Sequence, residues 1–356
     1  MVARVGAEAL ARVMHRALEP RGVSPEHAGF VVEGLIEASL RGIDTHGVRL
    51  FRTYLAELDG GRAKAQPQLS WREAGAAARV LDAGAALGVV AGRVAANETV
   101  RLAREFGVGA VVVRNSNHFG PASCYTLAMA RQQVLGFSCT NSDALVAPFR
   151  GTQPLMGTNP ISLVAPGLGD ELFCADFATS QVSYSKVKHY REQGQPLPAG
   201  WAVAKDGQDA AGRGAEIAAL HPLGGYKGQC LGMMVEILCP LLAGEPLDHE
   251  LSHLYVEPFD QPRRVAHFFF GLHLPAFTDP DSFRAQVSRL LALARAQDSA
   301  GNEPVQAPGD PEATAEADRR QHGIPLTPGE LEFFRELDAS TGGDRTPAFE
   351  VSGEAS

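Results

Sequence analysis

The sequence predicts an α/β fold, in which a central sheet domain is flanked by helical segments from both ends of the chain. Strands and helices alternate along residues 78–140, at 78–83, 87–106, 108–114, 121–133 and 134–140. Residues 1–61 instead carry helix-start and helix-stop residues around apolar stripes of helical spacing. With 356 residues, 45% of them hydrophobic, the chain is long enough for about two domains with buried cores.

The N-terminal region predicts three helices. Residues 1–18 are amphipathic at helical spacing, and Ser24 followed by Pro25 is a suitable N-cap and first residue of the second helix. Asp44 and Thr45 can cap the third helix. The apolar stripe of this third helix consists of Leu50, Tyr54, Leu55 and Leu58.

After the alternating region, the chain predicts two more strands, three helices and a Phe-rich strand. These segments are 160–166, 171–178, 180–193, the apolar and buried helix 228–243, the strand 265–274, and the helix 281–296. A Pro-rich loop, a charged helix that ends near Gly323 and a short amphipathic segment follow. We therefore expect a helical domain from residues 1–71 and 297–340, a sheet domain from residues 72–296, and a disordered tail from residues 341–356.

The composition excludes several classes of function. The 32 Lys and Arg residues against 41 Asp and Glu give a net charge of −9, which argues against a nucleic-acid-binding surface. Five cysteines stand singly in apolar stretches, as expected of reduced thiols in a cytosolic enzyme. No apolar run approaches the length of a membrane span, and the N-terminus lacks a secretory pattern. We therefore expect a cytoplasmic protein with no nucleic-acid or membrane partner.

Polar side chains gather at the ends of three predicted strands. His118 lies in the run RNSNHFGP after the strand 108–114, Ser142 and Asp143 follow the strand 134–140, and Asp176 closes the strand 171–178. Three polar strand ends in one α/β domain predict a ligand crevice at one edge of the sheet. Alternatively, the Asn and Ser residues form turns and Asp176 caps the next helix. Neither a GxGxxG nor a GxxxxGK[ST] phosphate motif is present.

Two further runs combine charge with a helix start. Thr45, His46 and Arg49 place a hydroxyl, an imidazole and a guanidinium together, which suits a proton donor beside an anion-binding group. Alternatively, Thr45 caps a helix and His46 packs against its neighbours. Lys227 lies in a glycine-rich loop that opens a long helix, where charge and helix dipole can both attract a phosphate. Alternatively, this loop is a glycine turn with a solvated lysine.

The segment HELSH matches the HExxH pattern of zinc hydrolases, with His249, Glu250 and His253 at the required spacing. A zinc hydrolase is therefore a remote alternative function. However, Pro246 precedes the segment and Pro258 follows it, so the sequence lacks the long helix that such a site needs.

Seven motifs in order along the chain resemble the malate/L-lactate dehydrogenase family of the non-Rossmann type. They are THG, NSNHFG, TNSDALVAPF, GTNPIS, DFATS, PLGGYKG and PGDPE, and the resemblance covers roughly residues 10–325. Members of this family include ureidoglycolate, sulfolactate and diketogulonate oxidoreductases and piperideine-2-carboxylate reductases. The resemblance implies NAD(P)-dependent hydride transfer between nicotinamide and the carbon next to a substrate carboxylate. It also implies a non-Rossmann NAD(P)-binding sheet domain and a homodimer.

The resemblance also implies roles for individual residues, with no metal site in the HELSH segment. By position, the residues that match the family's cofactor contacts are His118, Phe119, Gly120, Pro121, Ala122, Ser142, Thr158, Asp176, Phe177, Ala178, Tyr226, Lys227, Gly309, Asp310 and Pro311. His46 is the first candidate for the proton donor, oriented by Thr45, and His118 is the second. Asp143 is a candidate partner for either imidazole.

Two positions depart from the family pattern. Leu50 stands where members commonly carry an arginine that binds the substrate carboxylate, so either Arg49 or Arg52 replaces it or the substrate head group differs. Lys186 stands where the imine reductases carry an acidic residue, which favours a 2-oxo or 2-hydroxy acid over a cyclic imino acid. A binding protein without activity is the remaining alternative, because Leu50 replaces the arginine that commonly binds the substrate carboxylate. The sequence is compatible with both NAD and NADP, because this fold lacks the acidic residue that distinguishes the two cofactors in Rossmann domains.

Overall fold

The computed structural model describes residues 3–212 and 217–342, except for the side chains of His189 and Glu192. The predicted tail lies outside the described residues from position 343 onward. The strands are β1 (Ala3–Val5), β2 (Ser70–Gly75), β3 (Ala78–Asp82), β4 (Val108–Ser116), β5 (Val134–Thr140), β6 (Ile161–Pro166), β7 (Leu172–Phe177), β8 (Ala202–Ala204), β9 (Ile217–Leu220), β10 (Val265–His273) and β11 (Ile324–Leu326).

The α-helices agree with most of the predicted segments, and the second helix begins at its predicted cap. They are α1 (Ala7–Leu18), α2 (Pro25–Leu40), α3 (Phe51–Gly60), α4 (Gly88–Phe106), α5 (Ser123–Ala130), α6 (Tyr184–Glu192), α7 (Tyr226–Glu236), α8 (Leu274–Phe277), α9 (Pro280–Arg295), α10 (Asp310–His322) and α11 (Pro328–Ser340). The hydroxyl of Ser24 accepts a hydrogen bond from the backbone N–H of His27 at 3.2 Å, which confirms the predicted start of α2.

Seven strands form one mixed sheet in the order β2-β3-β4-β10-β5-β6-β7. Strands β3 and β4 are parallel, and the other neighbouring pairs in this sheet are antiparallel. A doubly wound dinucleotide-binding fold has a mostly parallel sheet instead. The structure therefore confirms the α/β class and shows a sheet that is not of the Rossmann type.

The two ends of the chain pack together beside the sheet. Strand β1 pairs with β11 in antiparallel register, with Val5 opposite Ile324. The rings of Phe51 and Phe334 stack with centroids 6.3 Å apart, which joins α3 to α11. Buried residues of α1, α2, α4 and the central strands form one continuous hydrophobic cluster. The division into domains at residues 71 and 297 stays a prediction.

The structure corrects several predicted elements. The segment 1–18 is not helical throughout, because Ala3–Val5 is a strand, and Ser70–Gly75 adds an edge strand that the sequence analysis missed. Asp44 does not cap the third helix, because α3 begins only at Phe51, after two short 3₁₀ turns. The carboxylate of Asp44 accepts a hydrogen bond from Arg319 at 2.9 Å instead. The helix predicted at 180–193 is shorter and begins at Tyr184.

The prediction of a buried helix at 228–243 is wrong for the single chain. Helix α7 ends at Glu236 and continues as a π-helical turn over Ile237–Leu241, where Pro240 interrupts the regular hydrogen bonds. Five apolar side chains of this region are 46–58% exposed, namely Met233, Met234, Ile237, Leu241 and Leu242. We call these five residues the α7 patch. In residues 3–212 and 217–342, no helix combines the length and apolar character needed to cross a membrane.

Candidate functional site

The three polar strand ends meet at one edge of the sheet. Strands β4 and β5 both run antiparallel to β10, which lies between them, and β5 and β7 both run antiparallel to β6. Strands β4, β5 and β7 therefore point in the same direction. His118 and Ser142, which follow β4 and β5, and Asp176, in the last residues of β7, consequently lie along one edge, as the strand-end pattern predicted.

Two histidines from separate parts of the chain stack at this edge, and we call them the histidine pair. The rings of His46 and His118 have centroids 5.5 Å apart and planes inclined by 22°. His46 ends the first 3₁₀ turn after α2, and His118 lies in the loop between β4 and α5. Gly88 lets the first turn of α4 approach the loop that carries His118, because a Cβ atom there would lie 2.1 Å from the carbonyl oxygen of Asn117.

Each imidazole has a hydroxyl on its Nδ1 atom. The Oγ1 atom of Thr45 lies 2.8 Å from Nδ1 of His46, and the Oη atom of Tyr54 lies 2.9 Å from Nδ1 of His118. The sequence predicts that Thr45 orients His46, but it places Tyr54 only in the apolar stripe of α3. Tyr54 is fully buried, so its hydroxyl needs a partner inside the protein. A tyrosine in an otherwise aliphatic stripe is the signal that could have identified it.

Both histidines are electrically neutral in the free protein. Burial, followed by the nearby charge of Arg49, lowers the pKa of His46 to about 4. Burial also lowers the pKa of His118 well below its usual value, and His46 and Arg263 lower it further. A negatively charged ligand beside the histidine pair would therefore favour uptake of one proton.

Asp143 lies near the histidine pair, but its hydrogen bonds go to other residues. Its Oδ1 atom accepts from the guanidinium of Arg263, which is only 3% exposed, and its Oδ2 atom lies 2.8 Å from Nδ1 of His253. Burial by itself raises the pKa of Asp143, but the bond with His253 and the charge of Arg263 outweigh it, and the pKa is lowered. The sequence gives no local signal for the role of Arg263, because this residue is 120 residues from Asp143 in the chain.

The HELSH segment does not form the geometry of a zinc hydrolase. Asp248–Glu250 is a 3₁₀ turn, and Leu251 is extended, so the two imidazoles do not share a face of an α-helix. The carboxylate of Glu250 accepts from the backbone N–H of Leu247 at 2.8 Å, and His253 is bonded to Asp143. Within residues 3–212 and 217–342, no three His, Cys, Asp or Glu residues are grouped so that they could hold a metal ion.

The two arginines predicted to bind the substrate line one side of a cleft of about 560 Å³, opposite residues of α11. The Nε atom of Arg49 lies 3.6 Å from Oε1 of Glu330, and the guanidinium of Arg52 lies 4.6 Å from the ring centroid of Phe333. Leu50 is only 2% exposed, because it packs in the hydrophobic core. An arginine at position 50 would therefore have to enter this core, while Arg49 faces the cleft.

The loops after β5 and before β6 are held together by a network of polar contacts. The backbone N–H of Thr158 donates to Oγ of Ser142 at 3.1 Å, and a Cβ atom on Gly157 would lie 2.3 Å from the same oxygen. Below them, Oδ2 of Asp248 accepts from the N–H of Gly157 at 2.6 Å and from Nδ2 of Asn159 at 2.7 Å. Asp248 is fully buried, and it holds the two residues that flank Thr158 in the chain.

Asp176 supports the start of α5 and does not cap the helix that follows it in the chain. Its Oδ2 atom accepts from the backbone N–H of Ser123 at 3.0 Å, and burial raises its pKa. The next strand residue, Phe177, exposes 41% of its surface. The segment that contains Gly309 lies against the same strand, because the N–H of Cys174 donates to the carbonyl oxygen of Pro308 at 3.1 Å.

The other residues predicted to bind a cofactor differ in exposure, so some present backbone atoms and others present side chains. The side chains of Phe119 and Ala122 are buried, and the Phe119 ring stacks on His267 with centroids 4.5 Å apart, so both residues present backbone atoms. Tyr226 is 61% exposed at the first position of α7, and Lys227 follows it on the surface. Exposed aromatic and cationic groups at a helix start are suited to planar and anionic parts of a ligand.

Comparison with known proteins gives consistent matches over most of the chain. A family model described as malate/L-lactate dehydrogenase matches residues 5–334. The malate dehydrogenase of Pyrococcus abyssi is 34% identical over 297 residues, which are 81% of this chain and 81% of the relative. The NAD⁺-dependent ureidoglycolate dehydrogenase of Escherichia coli is 30% identical over 81% of this chain and 82% of its own length. The NADP⁺-dependent (2R)-3-sulfolactate dehydrogenase of Chromohalobacter salexigens is 33% identical over 74% of this chain and 79% of its own length.

Solved structures give the same result. The malate dehydrogenase of Entamoeba histolytica superposes with a TM-score of 0.89 at 28% identity, over 96% of this chain and 98% of that one. The Δ1-piperideine-2-carboxylate reductase of Pseudomonas syringae superposes with a TM-score of 0.82 at 29% identity, over 94% of this chain and 99% of that one. The similarity therefore extends over the sheet and over both terminal segments.

Proposed function

The chain belongs to the malate/L-lactate dehydrogenase family, and we propose on this basis that its histidine pair and Arg49 interconvert a small 2-oxo acid and the corresponding 2-hydroxy acid. The chain is an NAD(P)-dependent oxidoreductase, since its relatives include NAD⁺- and NADP⁺-dependent dehydrogenases of small hydroxy acids. The observation that carries the assignment to these residues is the stack of His46 on His118 at the edge of the sheet, with Arg49 near enough to lower the pKa of His46.

The side chains along the sheet edge fit NAD(P). Phe177 and Tyr226 offer exposed aromatic surface for the rings of the cofactor, and Lys227 lies in the first turn of α7, where the helix dipole adds to its attraction for a pyrophosphate. Ser142 and Thr158 would contribute hydroxyl groups, which lie 3.4 Å apart. When bound, the reduced cofactor supplies the hydride.

We assign the proton transfer to His46 and the carboxylate binding to Arg49. Reduction of a 2-oxo acid needs a proton on the carbonyl oxygen, and an imidazole can deliver it. The hydroxyl of Thr45 on Nδ1 fixes the ring of His46, so Nε2 is the atom free to face the substrate. A guanidinium binds a carboxylate through two parallel hydrogen bonds, which would also orient the carbonyl next to it.

A cyclic imino acid is the alternative substrate, and the similarity to the piperideine-2-carboxylate reductase structure favours it. The residue type at position 186 argues against it, because Lys186 stands where the imine reductases carry an acidic residue. Its ammonium group lies 5.3 Å from the ring centroid of Trp201. A cation at this position is unsuited to binding a positively charged imine. We therefore keep the 2-oxo acid as the primary substrate.

The test of the function is oxidation of NADH and of NADPH in the presence of a panel of 2-oxo acids, including oxaloacetate, pyruvate and 3-sulfopyruvate. We expect turnover of at least one of them. If the enzyme turns over none of these 2-oxo acids but reduces Δ1-piperideine-2-carboxylate, it is an imine reductase instead. Cofactor binding without turnover of any compound would indicate a binding protein.

We also propose that the enzyme is a cytoplasmic homodimer, with the α7 patch in its interface. Five exposed apolar side chains within ten residues are unusual for a free surface, and burial against a second copy would remove them from water. The five cysteines are unbridged thiols, and four are buried, which suits a reducing compartment. Sedimentation of Leu241→Glu should give a monomer, whereas Leu290→Glu, at an exposed position of α9, should leave the mass unchanged.

A further inference from the structure

The hydrogen bonds of His118 distinguish its two ring nitrogens. Nδ1 receives the backbone N–H of Gly120 at 3.4 Å and lies 2.9 Å from Oη of Tyr54. A backbone N–H can only donate, so this long contact favours the tautomer in which Nδ1 presents its lone pair. In that tautomer the proton of the neutral ring is on Nε2.

Tyr54 reinforces this arrangement from α3. It is fully buried on α3, and burial raises the pKa of its phenol well above the usual value, so its hydroxyl stays protonated. With the lone pair of Nδ1 facing Gly120, the hydroxyl of Tyr54 also donates to this atom, over the shorter of the two distances. Protonation of Nδ1 would break the contact with Gly120 and would require the Tyr54 hydroxyl to accept instead of donate.

His46 does not have a comparable constraint. The partner of its Nδ1 atom is the hydroxyl of Thr45, which can either donate or accept. His46 can therefore carry its proton on either nitrogen and can become an imidazolium without losing this hydrogen bond. The two stacked rings thus differ in their capacity to take up a proton.

We propose that Tyr54 is a positioning residue that keeps His118 in the neutral Nε2–H form, so that the proton taken up by the histidine pair resides on His46. This inference rests on the proposed function and deepens it, because it divides the work between the two histidines. His118 then serves as a neutral hydrogen-bond donor to the substrate oxygen, while His46 delivers the proton. After delivery, His46 is neutral and is reprotonated from solvent.

The surroundings of His118 are consistent with this division. His46 and Tyr54 face it from the N-terminal elements, Asp143 from the loop after β5, and Arg263 and His267 from the segment at the start of β10. Arg263 and the two other histidines oppose a positive charge on His118, and Asp143 is the one group of this set that favours it. Asp143 is itself bonded to Arg263, which reduces its influence.

The experiment is ¹⁵N-histidine NMR of the full-length enzyme, which distinguishes protonated from unprotonated ring nitrogens. Signals are assigned with His118→Gln and His46→Gln. We expect an unprotonated Nδ1 and a protonated Nε2 for His118 between pH 6 and pH 9. In Tyr54→Phe, we expect His118 to populate both tautomers and to become protonated at higher pH than in the wild type. The control is Tyr125→Phe, which removes a buried hydroxyl bonded to the backbone of Phe119 and should leave this pattern intact.

Kinetics give the second measurement. In Tyr54→Phe we expect kcat to fall about tenfold, which corresponds to a barrier increase of about 1.4 kcal/mol, and the pH profile of kcat to shift. A proton on Nδ1 of wild-type His118 would overturn the proposal without any variant, and so would unchanged NMR signals and pH profile in a folded Tyr54→Phe. The NMR result does not depend on turnover, so failure of the 2-oxo acid assay would affect the proposed function alone.

Discussion

Arg49 lies with its Nε atom 3.6 Å from Oε1 of Glu330, so the guanidinium assigned to the substrate carboxylate already has a carboxylate partner from α11. The arginine side chain is 48% exposed and the glutamate 21%, and an ion pair this close to solvent is worth at most about 1 kcal/mol. A substrate carboxylate that forms two hydrogen bonds can therefore displace Glu330 at low cost.

Replacement of Glu330 by Gln should lower the KM for the 2-oxo acid a few-fold, because the substrate no longer competes with a fixed negative charge. Steady-state kinetics at a constant cofactor concentration measures this KM. Glu332→Gln is the control, since Glu332 lines the same cleft without an ion pair to Arg49. An increased KM in Glu330→Gln would mean that Glu330 positions Arg49 for binding.

Replacement of Arg49 by Met should raise the KM for the 2-oxo acid at least tenfold, as expected for loss of a bidentate charged contact of about 1.5–3 kcal/mol. Arg52→Met should have a smaller effect, because the Arg52 guanidinium lies over the Phe333 ring. The reverse order would transfer the carboxylate-binding role to Arg52. Both variants keep an unbranched, flexible side chain that replaces the aliphatic stem of the arginine.

Replacement of His46 by Ala should reduce kcat by about 10²–10⁴-fold, the range that general acid catalysis contributes. His118→Ala should reduce kcat less, because it removes a hydrogen-bond donor and leaves the proton donor in place. Single-turnover measurements with saturating cofactor separate this effect from binding. If His46→Ala keeps nearly full kcat while His118→Ala abolishes it, the two roles are exchanged.

Replacement of Asp143 by Asn should destabilise the fold by about 3–5 kcal/mol, because Arg263 remains buried without its counter-ion. The pKa of Asp143 is lower in the folded than in the unfolded chain. Its ionised carboxylate therefore adds to the free energy of unfolding above about pH 4, and this stabilisation is lost as the pH falls through the folded-state pKa. Urea unfolding at pH 7 and at pH 3 measures both effects. Asp59→Asn, which breaks an exposed pair with Arg21, should cost less than about 1 kcal/mol.

Replacement of Glu236 by Gln should make stability less dependent on pH. Burial, followed by the neighbouring carboxylate of Asp248, raises the pKa of Glu236 to about 8, whereas the unfolded value is about 4.3. Between these values the folded chain binds more protons, so the free energy of unfolding decreases as the pH rises from about 4 to about 8. This decrease should be shallower in Glu236→Gln, as measured by urea unfolding at pH 5, 7 and 9. An equal slope in both proteins would contradict the raised pKa, and Glu105→Gln on the surface is the control.

Local sequence signals were sufficient for most elements of the fold. The strand predicted at 134–140 is β5 with the same bounds, and the helix predicted at 87–106 is α4 to within one residue. The errors arose where long-range contacts decide the structure. Residues 3–5 become a strand because β11 pairs with them, and the apolar helix 228–243 was predicted to be buried because sequence periodicity does not show what covers a surface.

The sequence also contained most of the candidate site, since the polar strand ends and the Thr45–Arg49 run are local patterns. It did not show which groups touch. Asp143 was expected beside a catalytic imidazole, but its hydrogen bonds go to Arg263 and His253. Tyr54 was counted among the residues of an apolar stripe, yet its hydroxyl is bonded to His118, 64 residues away.

By itself, the sequence determined the α/β class, the family resemblance and the chemical types of the site residues, because caps, strand ends and motifs are encoded by neighbouring residues. The tertiary structure decided the stacking of His46 on His118 and the partners of Arg49 and Asp143. The antiparallel β10 and β6 point β4, β5 and β7 the same way, and the packing of the N-terminal helices on the sheet brings His46 to that edge. These contacts join residues far apart in the chain, so they depend on strand direction and packing, which no local pattern encodes.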